Sequence, residues 1–404
     1  MEMKHNNRAW AEINLDAIEN NIKAIRRYVT PSAKILGIVK ADAYGHGYLE
    51  VARTLLENGA DALAVACLDE AIQLRRCYIR CPILILGRSC CEEAETLVFY
   101  DVMPACFDFD LAKAMSDAAI KLNKPARLHI KIDTGMGRVG YRYADDAAVN
   151  EKTVSEIKKI AALPNLEING IFTHFSVADE TDADNDRYTQ LQFERFCAVC
   201  DRLEAEGVDI SIRHCANSAA LIRFPYMHMD MVRPGVILYG KEPSPYVDCT
   251  PLGLKSAMTF KAKITNVKMI ETGASVSYGR KFAADKPTKI ATVPVGYADG
   301  YSRILSGQAQ VIAGGKLCDV VGNICMDQCM IDVTDVNNIN IGDEVILFGT
   351  GDNLELPVES LAEKMGTINY EILCMVGKRI PRIYIKCGET IKSHNYLLDS
   401  PVSN

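Results

Sequence analysis

Between residues 30 and 240 one pattern recurs: a short β-branched run, a turn, then an amphipathic helix. The runs fall at 35–40, 62–67, 83–87, 102–107, 126–133, 168–175, 210–216 and 231–239. Helical stretches separate them, such as GYLEVARTLLENG (47–59), DEAIQLRRCYI (69–79), DLAKAMSDAAIKLN (110–123) and TVSEIKKIAAL (153–163). Their apolar residues return at three- and four-residue steps, so each helix has one face to bury, and Gly59 stands where a C-cap belongs. Strands separated by helices pair in parallel through right-handed crossovers. Eight of them is the number that closes a (β/α)8 barrel of the TIM type, and the count favours it over a doubly wound open sheet.

After residue 245 the period changes. PSPYVDCTPLG is rich in turn residues, and MTFKAKITNVKMI, TKIATVPVGYADG, QVIAGGKLCDVVG and DEVILFG alternate at period two. That predicts a mainly antiparallel β domain, with VESLAEKMG and NYEILCMVG as helices near its end. The expected division is a barrel over 12–245 and a β-rich domain over 246–388. Residues 1–11 are a candidate addition to the latter, and 389–404 form a polar tail without periodicity.

Bulk properties exclude several function classes. The net charge of −7, without a long basic run, speaks against nucleic acid or an anionic membrane as partner. No apolar stretch has transmembrane length, and MEMKHNNRAW lacks the apolar core of a signal peptide, so the expected location is the cytoplasm. The fifteen cysteines lie inside apolar patterns rather than at framework spacings and are expected as free thiols. Cys197 and Cys200 form a CxxC on an apolar helix face, with no second pair at metal-ligand spacing. No metal is expected.

Several polar residues without a packing role cluster at one end of the expected strands. Lys40 closes the first (ILGIVKADAYGHG), Arg138 lies past the fifth, and His174 closes the sixth (GIFTHFS). Asn217 and Ser218 follow the seventh (IRHCANSAA), and Arg233 and Gly235 belong to the eighth (MVRPGVILYG). In a barrel these are the C-terminal strand ends, where active sites are built and where the loops after strands seven and eight hold phosphate. Singly, His174 reads as a core histidine and each arginine as an ion-pair member; together they point to a site. GMGRVG at 135–140 matches a dinucleotide fingerprint, but the polar YRYADDAAVN intervenes before the next helix, and a genuine fingerprint opens a helix at once.

The motifs VKADAYGHG, KIDTGMGRVG, ANSAA, RPGVILYG, SYGR, VGYADG, CMDQ and INYEI, in this order from about Trp10 to Arg382, resemble those of the alanine racemases. The resemblance implies an isomerase that uses pyridoxal 5'-phosphate to interconvert L- and D-alanine for peptidoglycan, acting as a homodimer with shared active sites. It implies that Lys40 carries the cofactor and is one of two proton-transfer bases. Tyr278, from the partner subunit, is the other. Tyr44, Ser218, Gly235, Val236 and Tyr370 are implied at the phosphate, with Leu86 and Asn217 also among the cofactor-binding residues. Arg233 is implied at the ring nitrogen, His174 against the ring, and Arg138, Met326 and Asp327 around the substrate. Tyr297 and Tyr370 are implied to narrow the entrance, Lys131 to take up CO2, and His214 to link Tyr278 with Arg233.

These residue types suit the reaction. Racemisation removes a proton from one face of a carbon and delivers one to the other, so two flanking groups are the economical arrangement. A lysine becomes a base once burial and cationic neighbours lower its pKa, and a tyrosine needs nearby positive charge. Alternatives are a serine-preferring or broader racemase, a non-catalytic cofactor-binding barrel, and a two-domain decarboxylase. SYGR and CMDQ speak against the lone barrel. Arg233 speaks against the decarboxylase, which places a carboxylate at the ring nitrogen.

Overall fold

The computed structural model describes residues 8–351 and 353–399. They divide into two compact units, one formed by residues 17–43 and 48–255. The other takes the described residues up to 16, then 44–47 and those from 256 on.

The first unit contains the eight expected strands: β1 (Lys34–Ile38), β2 (Ala62–Val65), β3 (Ile83–Ile85), β4 (Met103–Cys106), β5 (Ala126–Asp133), β6 (Leu166–Phe172), β7 (Ile212–His214) and β8 (Met231–Val232). Neighbours in sequence pair in parallel, and β8 returns to pair with β1. Between β7 and β8 the ring closes through Asp230 N–H to the Arg213 carbonyl (3.1 Å) and Arg233 N–H to the Ala216 carbonyl (2.9 Å). β2 and β3 are buried along their whole length, as strands covered on both faces must be. Helices follow the strands, including Tyr48–Glu57 after β1, Phe109–Leu122 after β4 and Ala183–Ala205 after β6. The barrel is the expected fold.

Two elements differ from the sequence reading for local reasons. The run 231–239 is strand for only two residues. Pro234 has no N–H for the ladder, and Val236–Tyr239 winds into a short 3-10 helix instead. The helix expected over 153–163 begins at Ala147, because the Asp146 side chain accepts from the amides of Ala148 and Val149. GMGRVG nevertheless leads not into that helix but into the two-residue strand Tyr141–Arg142. At Gly140, φ is +129°, and a Cβ would stand 2.7 Å from the Asp133 amide. The glycine lets the loop fold back onto β5.

The second unit is the expected mainly antiparallel domain. Its large sheet runs from Asn266–Ile270 through Thr288–Val293, Cys329–Asp332, Lys316–Val321, Gln310–Ala313, Glu344–Gly351 and Met258–Lys263. It continues through Ala9–Asn14 and Arg382–Lys386 to Glu389–His394. Ala9–Asn14 is thus a strand of this unit, antiparallel to Met258–Lys263 and parallel to Arg382–Lys386. Glu389–His394, expected as the start of a polar tail, pairs antiparallel with Arg382–Lys386. Its side chains are exposed except for a half-buried His394, so no apolar alternation marked it as a strand. Inside the sheet, Ile13, Phe260, Val293, Val311, Ile331 and Leu347 belong to one buried cluster.

All fifteen cysteines are free. Cys200 is buried on Ala183–Ala205, and burial pushes its thiol up to about 12, so it packs rather than reacts. Among the described residues no helix is long and apolar enough to cross a membrane.

Candidate active site

Lys40 does not end a strand. β1 stops at Ile38, and Lys40 opens a single turn in which Ala41, Asp42, Ala43 and Tyr44 have φ of 52°, 54°, 54° and 52°. Left-handed backbone costs an L-residue roughly 1–2 kcal/mol, so four in succession need outside support. The Glu70 carboxylate supplies part of it, accepting from the amides of Ala41 (2.6 Å) and Ala66 (2.7 Å). Asp42 Oδ1 accepts from the Tyr48 amide (2.9 Å), closing the segment onto the next helix. Glu70 escaped the sequence reading because an acid in the first turn of a helix is unremarkable there.

Arg233 forms the centre of the barrel-end site. Its guanidinium is buried and donates to the carbonyls of Thr173 (2.8 Å) and Cys215 (2.9 Å), to His214 Nδ1 (3.1 Å) and to His174 Nδ1 (3.2 Å). Among the described residues these acceptors are all neutral. Burial pushes the guanidinium down to about 10, and Arg138 adds to the effect. Among the described residues no carboxylate pairs with this buried cation, which is held by dipoles.

Lys131 lies close by and is also buried, its ammonium 4.9 Å from the Phe172 ring centre. Burial, then Arg233 and Arg138, hold its amine well below the usual lysine range. The same causes, with Lys131 and Lys40 added, hold His174 well below the usual imidazole range. Lys40, Arg138, Lys131, His174 and Arg233 therefore share one electrostatic neighbourhood, with Lys40 half-buried and Arg138 exposed. Phe172, which the sequence reading missed, stacks on His214 at 4.9 Å and 12°. It appeared only as one more apolar residue of a strand.

At the ends of β7 and β8, the Ser218 hydroxyl accepts from the Gly235 amide (2.8 Å), tying the two loops together. Asn217 Oδ1 is occupied in capping Ser218–Arg223, accepting from the Ala220 amide (2.9 Å). Val236 is fully buried at the start of its 3-10 turn, and Leu86 is half-buried just beyond β3, its amide on the Val65 carbonyl (2.8 Å). An amine, a hydroxyl, loop amides and a cation stabilised only by neutral groups form a donor set that fits an anionic phosphate and a ring nitrogen.

His214 is fully buried, and both its ring nitrogens are engaged: Nδ1 with Arg233 and Nε2 with His129 Nδ1 (2.9 Å). Of the expected Tyr278–His214–Arg233 link, the His214–Arg233 part is present. His174 meets Arg233 through Nδ1, and among the described residues no hydrogen bond engages its Nε2.

Imidazoles whose pKa is lowered by burial give the fold a pH signature. Burial, the largest cause, lowers His129 from 6.5 to about 4, and lowers His174 and His214 as well. From pH 6.5 downward the unfolded chain takes up protons that the folded chain refuses, so stability falls with falling pH. For His129 the loss is complete below about 4. Urea midpoints are expected to drop across this window, less steeply for His129→Gln; parallel profiles would contradict the assignment.

In the β unit, Tyr278 is 68% exposed on a tight turn preceded by Ser277 at φ 67°. Asn323 holds the turn, its Nδ2 donating to the Tyr278 carbonyl (2.7 Å) while its own carbonyl accepts from Ser277 Oγ (2.6 Å). The 297–298 turn is bound to the next loop by Tyr297 N–H to the Cys325 carbonyl (3.1 Å) and Ala298 N–H to the Met326 carbonyl (3.0 Å). Tyr297 and Met326 are exposed, and Asp327 pairs with Arg379 at 2.8 Å. Arg379 also lies 3.6 Å from Asp299. It was missed because a lone arginine in KRIPR reads as an ordinary surface charge. Tyr44 and Tyr370 meet with ring centres 5.9 Å apart. Tyr278, Tyr297, Met326 and Asp327 thus stand on linked loops of one unit.

Comparison with known proteins agrees with both halves. Residues 13–243 match the family model "Alanine racemase, N-terminal domain" and residues 257–384 match "Alanine racemase, C-terminal domain". The chain is 48% identical over 395 residues to the alanine racemase of Clostridium novyi, covering 98% of this chain and 100% of that protein. It is 49% identical over 376 residues to that of Desulforamulus reducens, covering 93% and 98%. The solved alanine racemase of Clostridium difficile superposes with a TM-score of 0.92 at 41% identity, covering 98% of this chain and 100% of that one. The Bacillus anthracis enzyme with bound L-Ala-P gives 0.89 at 36%, covering 97% and 98%. The chain belongs to the alanine racemase family.

Proposed function

We propose that this protein interconverts L- and D-alanine, with Lys40 and Tyr278 as its two bases and pyridoxal 5'-phosphate as cofactor. The buried Arg233, held among the described residues by neutral acceptors, carries this reading. When bound, the cofactor supplies an electron-withdrawing ring that acidifies the α C–H of an amine joined to it. Lys40 is the residue to carry it, on a turn held rigid by Glu70 and Asp42. Ser218, Gly235 and Val236 serve the phosphate, with Asn217 shaping the helix start and Leu86 the wall.

A protonated Arg233 would offer a bound ring nitrogen only a donor and would leave that nitrogen unprotonated. Charge withdrawal is thereby limited, which favours returning the amino acid intact. Arg233→Glu should raise the fraction of turnovers lost to transamination; unchanged partitioning would contradict this role.

The cationic surroundings assign the remaining tasks. Arg138 faces the substrate carboxylate. Lys131, its amine held well below the usual lysine range by burial and by Arg233 and Arg138, can add CO2, release a proton and become an anion. A carbamate carbon in NMR with 13C-bicarbonate tests this; its absence refutes it. His174 passes the influence of Arg233 towards Tyr278. Tyr278, Tyr297 and Met326 are left open to solvent in a single chain, whereas a tyrosine base works in a partly enclosed, cationic setting. A second copy supplies that environment: Tyr278, Met326 and Asp327 of one copy complete the Lys40 site of the other. A cytoplasmic homodimer that supplies D-alanine for peptidoglycan fits the fifteen free thiols.

The test is incubation of purified protein and added cofactor with L-alanine and, separately, L-serine, followed by chiral separation. D-alanine should form readily and D-serine slowly, since a pocket excludes one extra hydroxyl poorly. Predominant D-serine would favour the serine-preferring reading.

A further inference from the structure

Behind His214 lies a second buried imidazole, His129, only 1% exposed. The hydrogen bonds run in a line: Arg233 to His214 Nδ1 (3.1 Å), His214 Nε2 to His129 Nδ1 (2.9 Å), His129 Nε2 to Asn169 Oδ1 (3.3 Å). A guanidinium has no acceptor, so His214 must receive at Nδ1 and carry its proton on Nε2. His129 must then receive at Nδ1 and carry its proton on Nε2, which leaves Asn169 to accept. One arrangement of protons satisfies every bond. In it, both imidazole dipoles turn their negative ends towards Arg233.

The backbone is shaped around this line. Leu128 pairs with Ile168 and His129 with Gly170, so Asn169 is the extra residue of a bulge in β6. Bulges re-aim a side chain. A Cβ on Gly170 would stand 2.5 Å from His129 Cε1 and Nδ1, so the glycine makes room for the ring. Asn169 Nδ2 faces Glu167 Oε1 at 3.4 Å, which turns its oxygen towards His129. An Asn-Gly pair ordinarily marks a turn; here it sits inside a strand.

We propose that Asn169 is a positioning residue that, from the far end of the line, helps Arg233 fix in His129 and His214 the single tautomer able to hold Arg233 as an unneutralised cation. A carboxylate in place of His214 would neutralise the guanidinium; two aligned neutral rings hold it and leave its charge intact. The consequence for catalysis rests on Arg233 serving the cofactor, but the tautomer itself does not.

The experiment is 15N NMR of histidine-labelled resting holoenzyme, together with steady-state kinetics. In the wild type, His129 and His214 should each carry a proton on Nε2 alone. Asn169→Leu should let His129 populate both tautomers. Its kcat should fall about tenfold with KM within about twofold, as when the hydrogen-bond partner of a working side chain is removed. Asn169→Asp keeps the acceptor and should restore the Nε2–H form and most of kcat. A proton on Nδ1 of wild-type His214, or unchanged tautomers and kcat in Asn169→Leu, would overturn the proposal. Wild-type protein that shows the tautomers but no racemisation would instead defeat the functional reading alone.

Discussion

Lys40→Ala is expected to lower kcat for alanine racemisation by at least about 10³-fold, because it removes both a covalent anchor and a general base. The fold should survive. The side chain is half-buried at the start of its turn, and the left-handed conformation of residues 41–44 is supported by Glu70 and Asp42. Wild-type circular dichroism alongside lost activity and lost cofactor absorbance would therefore mark a chemical role. Cofactor retained covalently in Lys40→Ala would move the anchor elsewhere, and Lys131 would be the first residue to examine.

Tyr278→Phe is expected to cost about 10²–10⁴-fold in kcat, the usual worth of one positioned acid–base group. The loss should be one-sided. With Lys40 intact, one enantiomer should still exchange its α-proton with solvent without inverting, while exchange of the other collapses. Equal loss for both would mean that Tyr278 binds or shapes rather than transfers protons. The substitution removes only an oxygen from a ring already 68% exposed, so a stability effect is not expected to interfere.

The barrel was readable from the sequence because burial on both faces forces apolar strands to alternate with one-faced helices. That signal survives even where a run such as 231–239 turns out to be mostly not strand. The strand-end residues were readable for a related reason: polar side chains such as Lys40, His174 and Arg233 interrupt apolar runs where packing offers them nothing. What was hidden depends on local geometry. The left-handed turn after Lys40 is built from Ala, Asp, Ala and Tyr, none of which announces positive φ. Glu70 acts through backbone amides distant in sequence, and Arg379 through a loop partner. Asn169 and Gly170 present turn chemistry inside a strand, because a bulge in pairing with β5 is a property of two strands together. The partner of the second His214 nitrogen was hidden for the same reason: only the fold shows that it is His129.

The most direct test is racemisation of L-alanine in D2O, stopped early and resolved by enantiomer and mass. Two separate bases predict D-alanine carrying one solvent deuterium at Cα, with the remaining L-alanine largely unlabelled. D-alanine that keeps its original α-hydrogen would show a single base returning the same proton, and no D-alanine at all would contradict the account outright.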